Sequence, residues 1–383
     1  MKKRLPLLLA AALCLLLGTS VPATAIEDTL PETSMIEEFL EEGPVSGLYD
    51  AIPEGAEELL EERGSNGISE TVRGMGVRGL WEGAVSLIKS YATAPIRMLV
   101  SLVGLTLLCA ILSGFGSTIT ANGIQPVFNI FICVFVSAIV IEPVVSCITE
   151  SVDVIEDFAF FISTFIPMFA GVIAASGQPV TGAAYNLLLY GICQIVSQVI
   201  MRFLVPVLCC YLALSIVGVL SPKMNISGAV GGIKTFVTWS LTLILTVFVG
   251  LLSIQSAIAS GSDALTVKTG KFFIGSFIPV VGGAISDMFV AAQGCIQITK
   301  ATVGAFGIVI TALTFLPPLL RAAVWYVTIS LGGIISDLFQ TKELTALLKA
   351  ISSTLGILLG VLLCFCLLVI ISTTLIIVAF KGT

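Results

Sequence analysis

An apolar segment with Pro and Gly near its middle occurs twice in this chain, and its second copy reads Phe272-Phe273-Ile274-Gly275-Ser276-Phe277-Ile278-Pro279-Val280-Val281-Gly282-Gly283-Ala284-Ile285. An earlier stretch, residues 160–173, matches it at eight of fourteen positions, 112 residues upstream and without a gap. The same offset relates residues 203–208 to residues 315–320. Two matches in one register indicate an internally duplicated chain, in which each copy carries an apolar segment interrupted by Pro and Gly.

The composition is that of a membrane protein. Of the 383 residues, 57% are hydrophobic and 11% are charged, whereas roughly a quarter of the residues in soluble proteins are charged. Several apolar runs reach the ~20 residues that a helix needs to cross a bilayer. Because helices satisfy their own backbone polar groups in lipid, we predict an all-α, polytopic helical membrane protein with two internal repeats.

No pattern in the sequence indicates an enzyme. Histidine is absent, which excludes imidazole acid–base chemistry and histidine metal sites. The ten cysteines include no C-x-x-C pair, and most lie in apolar runs, so we interpret them as small packing residues. No Ser/His pairing and no pair of carboxylates on a rigid scaffold is recognisable. The sequence therefore predicts no catalytic residue, no metal, no cofactor and no nucleic-acid site.

Residues 1–25 are predicted to be a signal peptide. A positive start, Met1-Lys2-Lys3-Arg4, precedes an apolar run and the small-residue cleavage site Ala23-Thr24-Ala25. The alternative is an uncleaved anchor, for which the apolar run is short. Cleavage would leave an extracytoplasmic N-terminus.

Residues 26–95 are predicted to form an acidic extracytoplasmic segment with amphipathic helices. Residues 26–62 hold thirteen of the 24 acidic residues and no Lys or Arg. Apolar pairs stand between acidic pairs, as in residues 57–62, which predicts short helices that dock on another surface. A solvated spacer is the alternative. Residues 80–88 are amphipathic enough to lie in the membrane interface.

Residues 96–383 are predicted to be a multi-span membrane domain, with repeats at about 127–234 and 235–345 and a final span at 351–379. It contains ten apolar segments, two of them broken by Pro, at about 158–176 and 272–286. A Pro within a helix removes a hydrogen bond, and in lipid the freed groups must face protein or a wet cavity. Matched breaks in two repeats indicate a transport site, so the candidate pathway residues are Pro167, Gly171, Pro279, Gly282 and Gly283.

The two broken segments can either cross the membrane or re-enter it. Crossing segments would make the repeats parallel, and re-entrant ones would invert the second repeat. The distribution of Lys and Arg between the loops does not decide between them. The second segment has about 14 apolar residues before Asp287, which is short for a span. Segment length therefore favours re-entrant hairpins and inverted repeats.

A few polar residues near the membrane are further candidates. Glu142 and Gln255 occupy nearly corresponding places in the two copies, and a carboxylate in the bilayer costs roughly 2.5–3.5 kcal/mol. We assign both to the pathway, with a place near the interface as the alternative for Glu142. The residues that flank the second broken segment are predicted to contact a partner; they are Asp263, Lys268, Lys271 and Asp287. For Asp287, capping of a helix is the alternative.

The run from Ser262 to Asp287, with Lys268, Gly270-Lys271-Phe272, residues 277–283 and Ser286-Asp287, resembles the stage III sporulation protein AE family of endospore-forming bacteria. The leader, the acidic outer segment and the multi-span body are similar to that family as well. The resemblance implies a permease-like component of a secretion-like channel, in the mother-cell membrane around the forespore. It implies as partners ring-forming and other membrane proteins, a cytoplasmic secretion-type ATPase and a forespore bridging protein. The alternative is a membrane scaffold that recruits channel proteins and conducts nothing.

Overall fold

The computed structural model describes residue 48 and residues 51–61, 71, 77–116, 124–220, 227–277 and 282–378. In these residues the regular secondary structure is helical and includes no strand, which confirms the predicted all-α class. The predicted signal peptide lies outside the described residues, as does most of the acidic segment before residue 51.

Long helices account for most of the described chain. In chain order they are α1 (Glu54–Glu61), α2 (Val77–Gly116), α3 (Ile124–Ala175), α4 (Pro179–Leu220, with π-helical turns at Asn186–Tyr190 and Ile200–Leu204), α5 (Ser227–Phe277), α6 (Gly282–Leu338) and α7 (Lys342–Val378). Among the described residues, six of these helices, α2 to α7, are long and apolar enough to cross a membrane. The chain is a multi-pass membrane protein.

Several of the ten apolar segments merge into single helices. Helix α3 contains 52 residues and is about 78 Å long at 1.5 Å per residue, far more than the ~30 Å of a bilayer core. The two duplicated stretches also differ: residues 158–175 continue within α3, whereas α5 ends at Phe277 and α6 begins at Gly282. The internal repeat therefore stays a prediction from the sequence.

The centre of the bundle is occupied by α7, the most apolar helix. In its most apolar window 83% of the residues are buried, against 17% for α5. Helix α7 packs along α6 and against α3, α4 and α5. The rings of Phe158 (α3), Phe315 (α6) and Phe365 (α7) meet with centroids 4.9, 5.8 and 6.0 Å apart. In the described part of the chain, side chains fill the middle of the bundle.

The described part of the acidic segment docks on the membrane body. Ile52, Ala56 and Leu60 are buried in the common core, while Glu54 and Glu57 are exposed. Helix α1 packs against α6. Of the two alternatives for the acidic segment, docking therefore holds for residues 51–61, and the surface they dock on belongs to the same chain.

Candidate functional site

Two polar side chains in the turn between α3 and α4 are buried, while Ala175, Pro179 and Val180 beside them are exposed. Ser176 is 0% exposed and Gln178 is 7% exposed. Connections normally run over the surface, where water satisfies their polar groups. This turn is the candidate functional site.

The local sequence explains why the chain turns here. Gly177 has φ 88°, a left-handed conformation that favours glycine. The N–H groups of Ser176 and Gly177 donate to the carbonyls of Val172 and Ala174, which satisfies the end of α3 as helix C-caps commonly do. Pro179 then stands in the first turn of α4, where its missing N–H costs nothing. One helix ends and the next begins within three residues.

Helices α3 and α4 approach each other closely just beyond the turn. A Cβ atom on Gly182 would lie 2.6 Å from the carbonyl oxygen of Ala170 and 3.2 Å from the backbone nitrogen of Ala174. A side chain at position 182 would therefore meet backbone, which cannot move aside cheaply. Gly182 allows the two helices to pack backbone against backbone and holds the turn in place.

A buried lysine contacts the turn from α6. Lys300 is 4% exposed, and its Nζ donates a hydrogen bond of 2.8 Å to Oε1 of Gln178. Its neighbour Thr299 is buried as well. A cationic side chain inside a membrane bundle is costly and by default indicates a functional site. The charge of Lys300 lies where the helix pair α3–α4 is interrupted.

Buried polar groups continue from the turn along α4. Thr181 and Tyr185 follow Gln178 at helical spacing on one face, and both are buried. The Tyr185 ring packs edge-on against Phe169, with centroids 5.4 Å apart. Its hydroxyl is buried beside the Thr373 side chain of α7. The site is thus a polar layer within an otherwise apolar core.

A second charged contact ties α3 to α6. Arg321 donates through Nη1 to the Glu150 carboxylate and through Nη2 to Ser146 Oγ at 3.2 Å. Both charged side chains are partly buried. The pair sets α3 and α6 in register, five turns or more away from Lys300.

Comparison with known proteins identifies the family. The model of the family described as stage III sporulation protein AE matches residues 65–380. This chain belongs to that family. Family membership supports a role in sporulation and confirms the resemblance seen in the sequence.

A curated member of the family shares part of this sequence. "Stage III sporulation protein AE" of Bacillus subtilis (strain 168) is 24% identical over 214 residues, which are 56% of this chain and 54% of the relative. The matched region thus spans about half the length of the relative. No solved structure matches the chain.

In the structure of this family member, α3 continues past the first predicted helix break. Pro167 lies inside α3, and Pro167 and Gly171 face outward. On the opposite side Phe161, Phe165 and Phe169 are buried and stack with successive centroids 5.4 Å apart. This packing holds the helix together despite the lost hydrogen bond. The predicted break at Pro167 is wrong, because α3 continues through it to Ala175, and the turn at residues 176–178 is the connection expected between the segments at about 158–176 and 181–201.

The other predicted site residues lie apart from this turn or outside the described chain. Glu142 is exposed on α3, whereas Gln255 on α5 has a buried Oε1 without a hydrogen-bond partner in the described residues. Pro279 lies outside the described residues. Helices α5 and α6 include the remaining residues, but their side chains lie outside the described part: Asp263, Lys268, Lys271, Gly282, Gly283 and Asp287. Their roles stay predictions.

Proposed function

We propose that this family member is the permease-like, multi-pass component of a secretion-like channel between mother cell and forespore. Its place is the mother-cell membrane around the forespore, with the N-terminus outside the cytoplasm. The observation that carries the permease-like role is the hydrogen bond from buried Lys300 to the buried Gln178 side chain in the turn between α3 and α4. The pathway runs past this turn.

Burying polar and charged side chains in the bundle lowers its stability. A bundle that serves only as an anchor is most stable with apolar side chains throughout, because a buried charge loses its hydration and recovers only part of that energy from its partners. The chain instead places Lys300, Gln178 and the hydroxyl of Tyr185 in its interior. Interrupted helices with ionisable groups beside them are the usual construction of transport sites.

The described conformation is a closed one. Helix α7 and the Phe158–Phe315–Phe365 cluster fill the centre of the bundle. Passage therefore requires the α3–α4 pair to move against α6 and α7. Such movement exposes the turn to water, and that exposure can be measured.

Cysteine labelling tests the proposal. Ser176→Cys places a nearly isosteric thiol in the turn, and we expect a polar thiol reagent to label it in membranes of sporulating cells but not in the isolated chain. Ser215→Cys, at another buried serine on α4, is the matched control and stays unlabelled in both. If Ser176→Cys is unlabelled in sporulating membranes too, the pathway does not pass the turn.

The second candidate function is a scaffold that conducts nothing. The filled centre of the bundle favours it, as does the acidic face of α1, where Glu54 and Glu57 are exposed. As a scaffold the chain would hold the ring-forming proteins, the cytoplasmic secretion-type ATPase and the forespore bridging protein. The labelling result separates the two functions, because a scaffold has no reason to expose the turn.

A further inference from the structure

A groove runs between α3 and α4 on the outside of the bundle. Its volume is about 400 Å³, and its walls are almost wholly apolar, formed by Ile141, Ile148 and Val152 on α3 and by Val205, Leu212 and Ile216 on α4. Each wall extends over about 17 Å of helix. Both helices are candidate membrane spans. Asp153 lines one end.

Helix α2 has an exposed face that is apolar, like the walls of the groove. Only 28% of its most apolar window is buried. Ile96, Val100, Leu107 and Ile111 are exposed and recur at helical spacing on one side. Lys89, which is exposed, belongs to the same face, and exposed Arg97 lies at its edge. The face is therefore an apolar stripe, about 22 Å long from Ile96 to Ile111, with two basic residues towards its N-terminal end.

The contacts of the bundle place α2 and the groove at the same depth. Tyr91 of α2 lies near the Glu150–Arg321 pair, and a Cβ on Gly332 of α6 would lie 3.2 Å from Leu102 of α2. Helix α2 therefore runs parallel to α6. Helix α3 runs antiparallel to α6, because Phe158 meets Phe315 while a Cβ on Gly307 would meet Phe165.

Distances along the helices from this common level show which charged residues of the two surfaces lie at similar depth. Lys89 lies about 3 Å from the level of Tyr91, and Asp153 lies about 4.5 Å from that of Glu150, both in the same direction. In the opposite direction Arg97 is about 9 Å away and Glu142 about 12 Å away. In two copies with the same orientation in one membrane, Lys89 thus matches Asp153 in depth, and Arg97 matches Glu142.

We infer that the groove binds α2 of a second copy of this chain, with Lys89 beside Asp153 and Arg97 beside Glu142. Within the described residues none of these four side chains forms an ion pair. Arg202, exposed one turn beyond Val205, adds one positive charge to the Asp153 end, where Glu156 and Asp157 on α3 outnumber it. The acidic α3 wall repels a phospholipid phosphate, which argues against a lipid as the occupant.

The contact joins two different surfaces, so it repeats from copy to copy. Head-to-tail interfaces of this kind close into rings or continue as open chains. In a membrane plane, copies with one orientation form a ring or an open row, and either gives oligomers larger than a dimer. The inference goes beyond the permease-like role and does not depend on it, since it concerns the outer surface of the bundle and not the turn between α3 and α4.

Disulfide cross-linking in native membranes tests the contact. Thr93→Cys on α2, exposed and about 3 Å from the level of Tyr91, lies at the depth of the native, exposed Cys209, which lines the groove beside Thr149. Cys14, Cys210 and Cys295 are replaced by Ser. We expect an oxidant to produce a ladder of dimers and higher oligomers. Two controls yield monomer: Thr93→Cys together with Cys209→Ser, and Val247→Cys, an exposed apolar position on α5.

Charge exchange tests the pairing and separates it from misfolding. Lys89→Asp is expected to reduce the ladder at least fivefold, and adding Asp153→Lys is expected to restore it. Four results would each overturn the inference. The ladder could stop at the dimer, or Val247→Cys could cross-link equally well. The product could contain another protein in place of a second copy, or the charge exchange could fail to restore the ladder.

Discussion

Lys300 Nζ lies 2.8 Å from Gln178 Oε1, and both side chains are buried. The contact joins α6 to the point where the α3–α4 pair leaves helical geometry. It ties the Gln178 side chain of the turn to α6.

Removing Gln178 is expected to destabilise the bundle. Gln178→Leu leaves the Lys300 ammonium without this acceptor, and a hydrogen bond to a charged group is worth about 1.5–3 kcal/mol. Thermal unfolding in detergent should show a lower Tm. Gln198→Leu, on the exposed side of the same helix, is the control and should change Tm little. Equal Tm values for the two variants would mean that the contact contributes nothing.

Gly182→Ala is expected to cost about 1–3 kcal/mol, because the added Cβ would lie 2.6 Å from the Ala170 carbonyl oxygen and force the helices apart. Gly191→Ala, in the same helix with nothing within 4 Å, is the matched control. It should be neutral or stabilising by up to about 1 kcal/mol, the difference in helix propensity. The difference in unfolding midpoints measures the effect, and a tolerated Gly182→Ala would contradict the close packing.

The Glu150–Arg321 pair is expected to stabilise the bundle measurably. A double-mutant cycle of Glu150→Gln and Arg321→Met should give a coupling energy of about 1 kcal/mol or more, because the pair is partly buried and also contacts Ser146. The exposed pair Lys349–Asp337 should give a coupling near zero, as exposed pairs usually do. Similar couplings for the two pairs would show that burial of the first adds nothing.

Pro167→Ala is expected to stabilise the protein and leave sporulation intact. Alanine restores the backbone N–H that an unbroken helix requires, and an interior Pro costs about 3 kcal/mol when nothing compensates it. The measurements are Tm and spore yield. If Pro167→Ala abolishes sporulation while the amount of protein in the membrane is unchanged, Pro167 belongs to the pathway, as the sequence predicts.

The class of fold was predictable because hydropathy determines it: apolar runs of this length must be helices in lipid. The continuity of α3 through Pro167 could not be predicted. The sequence shows the proline but not the buried stacking of Phe161, Phe165 and Phe169 that compensates for it. The Gly177-Gln178-Pro179 signal for a turn was present, although nothing in it shows that the Gln178 side chain would be buried.

Lys300 was missed for a similar reason. In the sequence it precedes an apolar run and is typical of a loop residue at a membrane surface. Only the continuation of α6 on both sides of residue 300, and the meeting with Gln178, place it in the interior. Charged residues of this kind become recognisable when the neighbouring helices are known.

Spore yield tests whether buried Lys300, which contacts the turn between α3 and α4, is required for function. Lys300→Met keeps the length of the side chain but removes its charge, and Lys349→Met does the same at an exposed lysine. With both variants present at normal levels in the membrane, we predict that Lys300→Met reduces spore formation at least a hundredfold and that Lys349→Met does not. Normal spore yield from Lys300→Met would contradict the account.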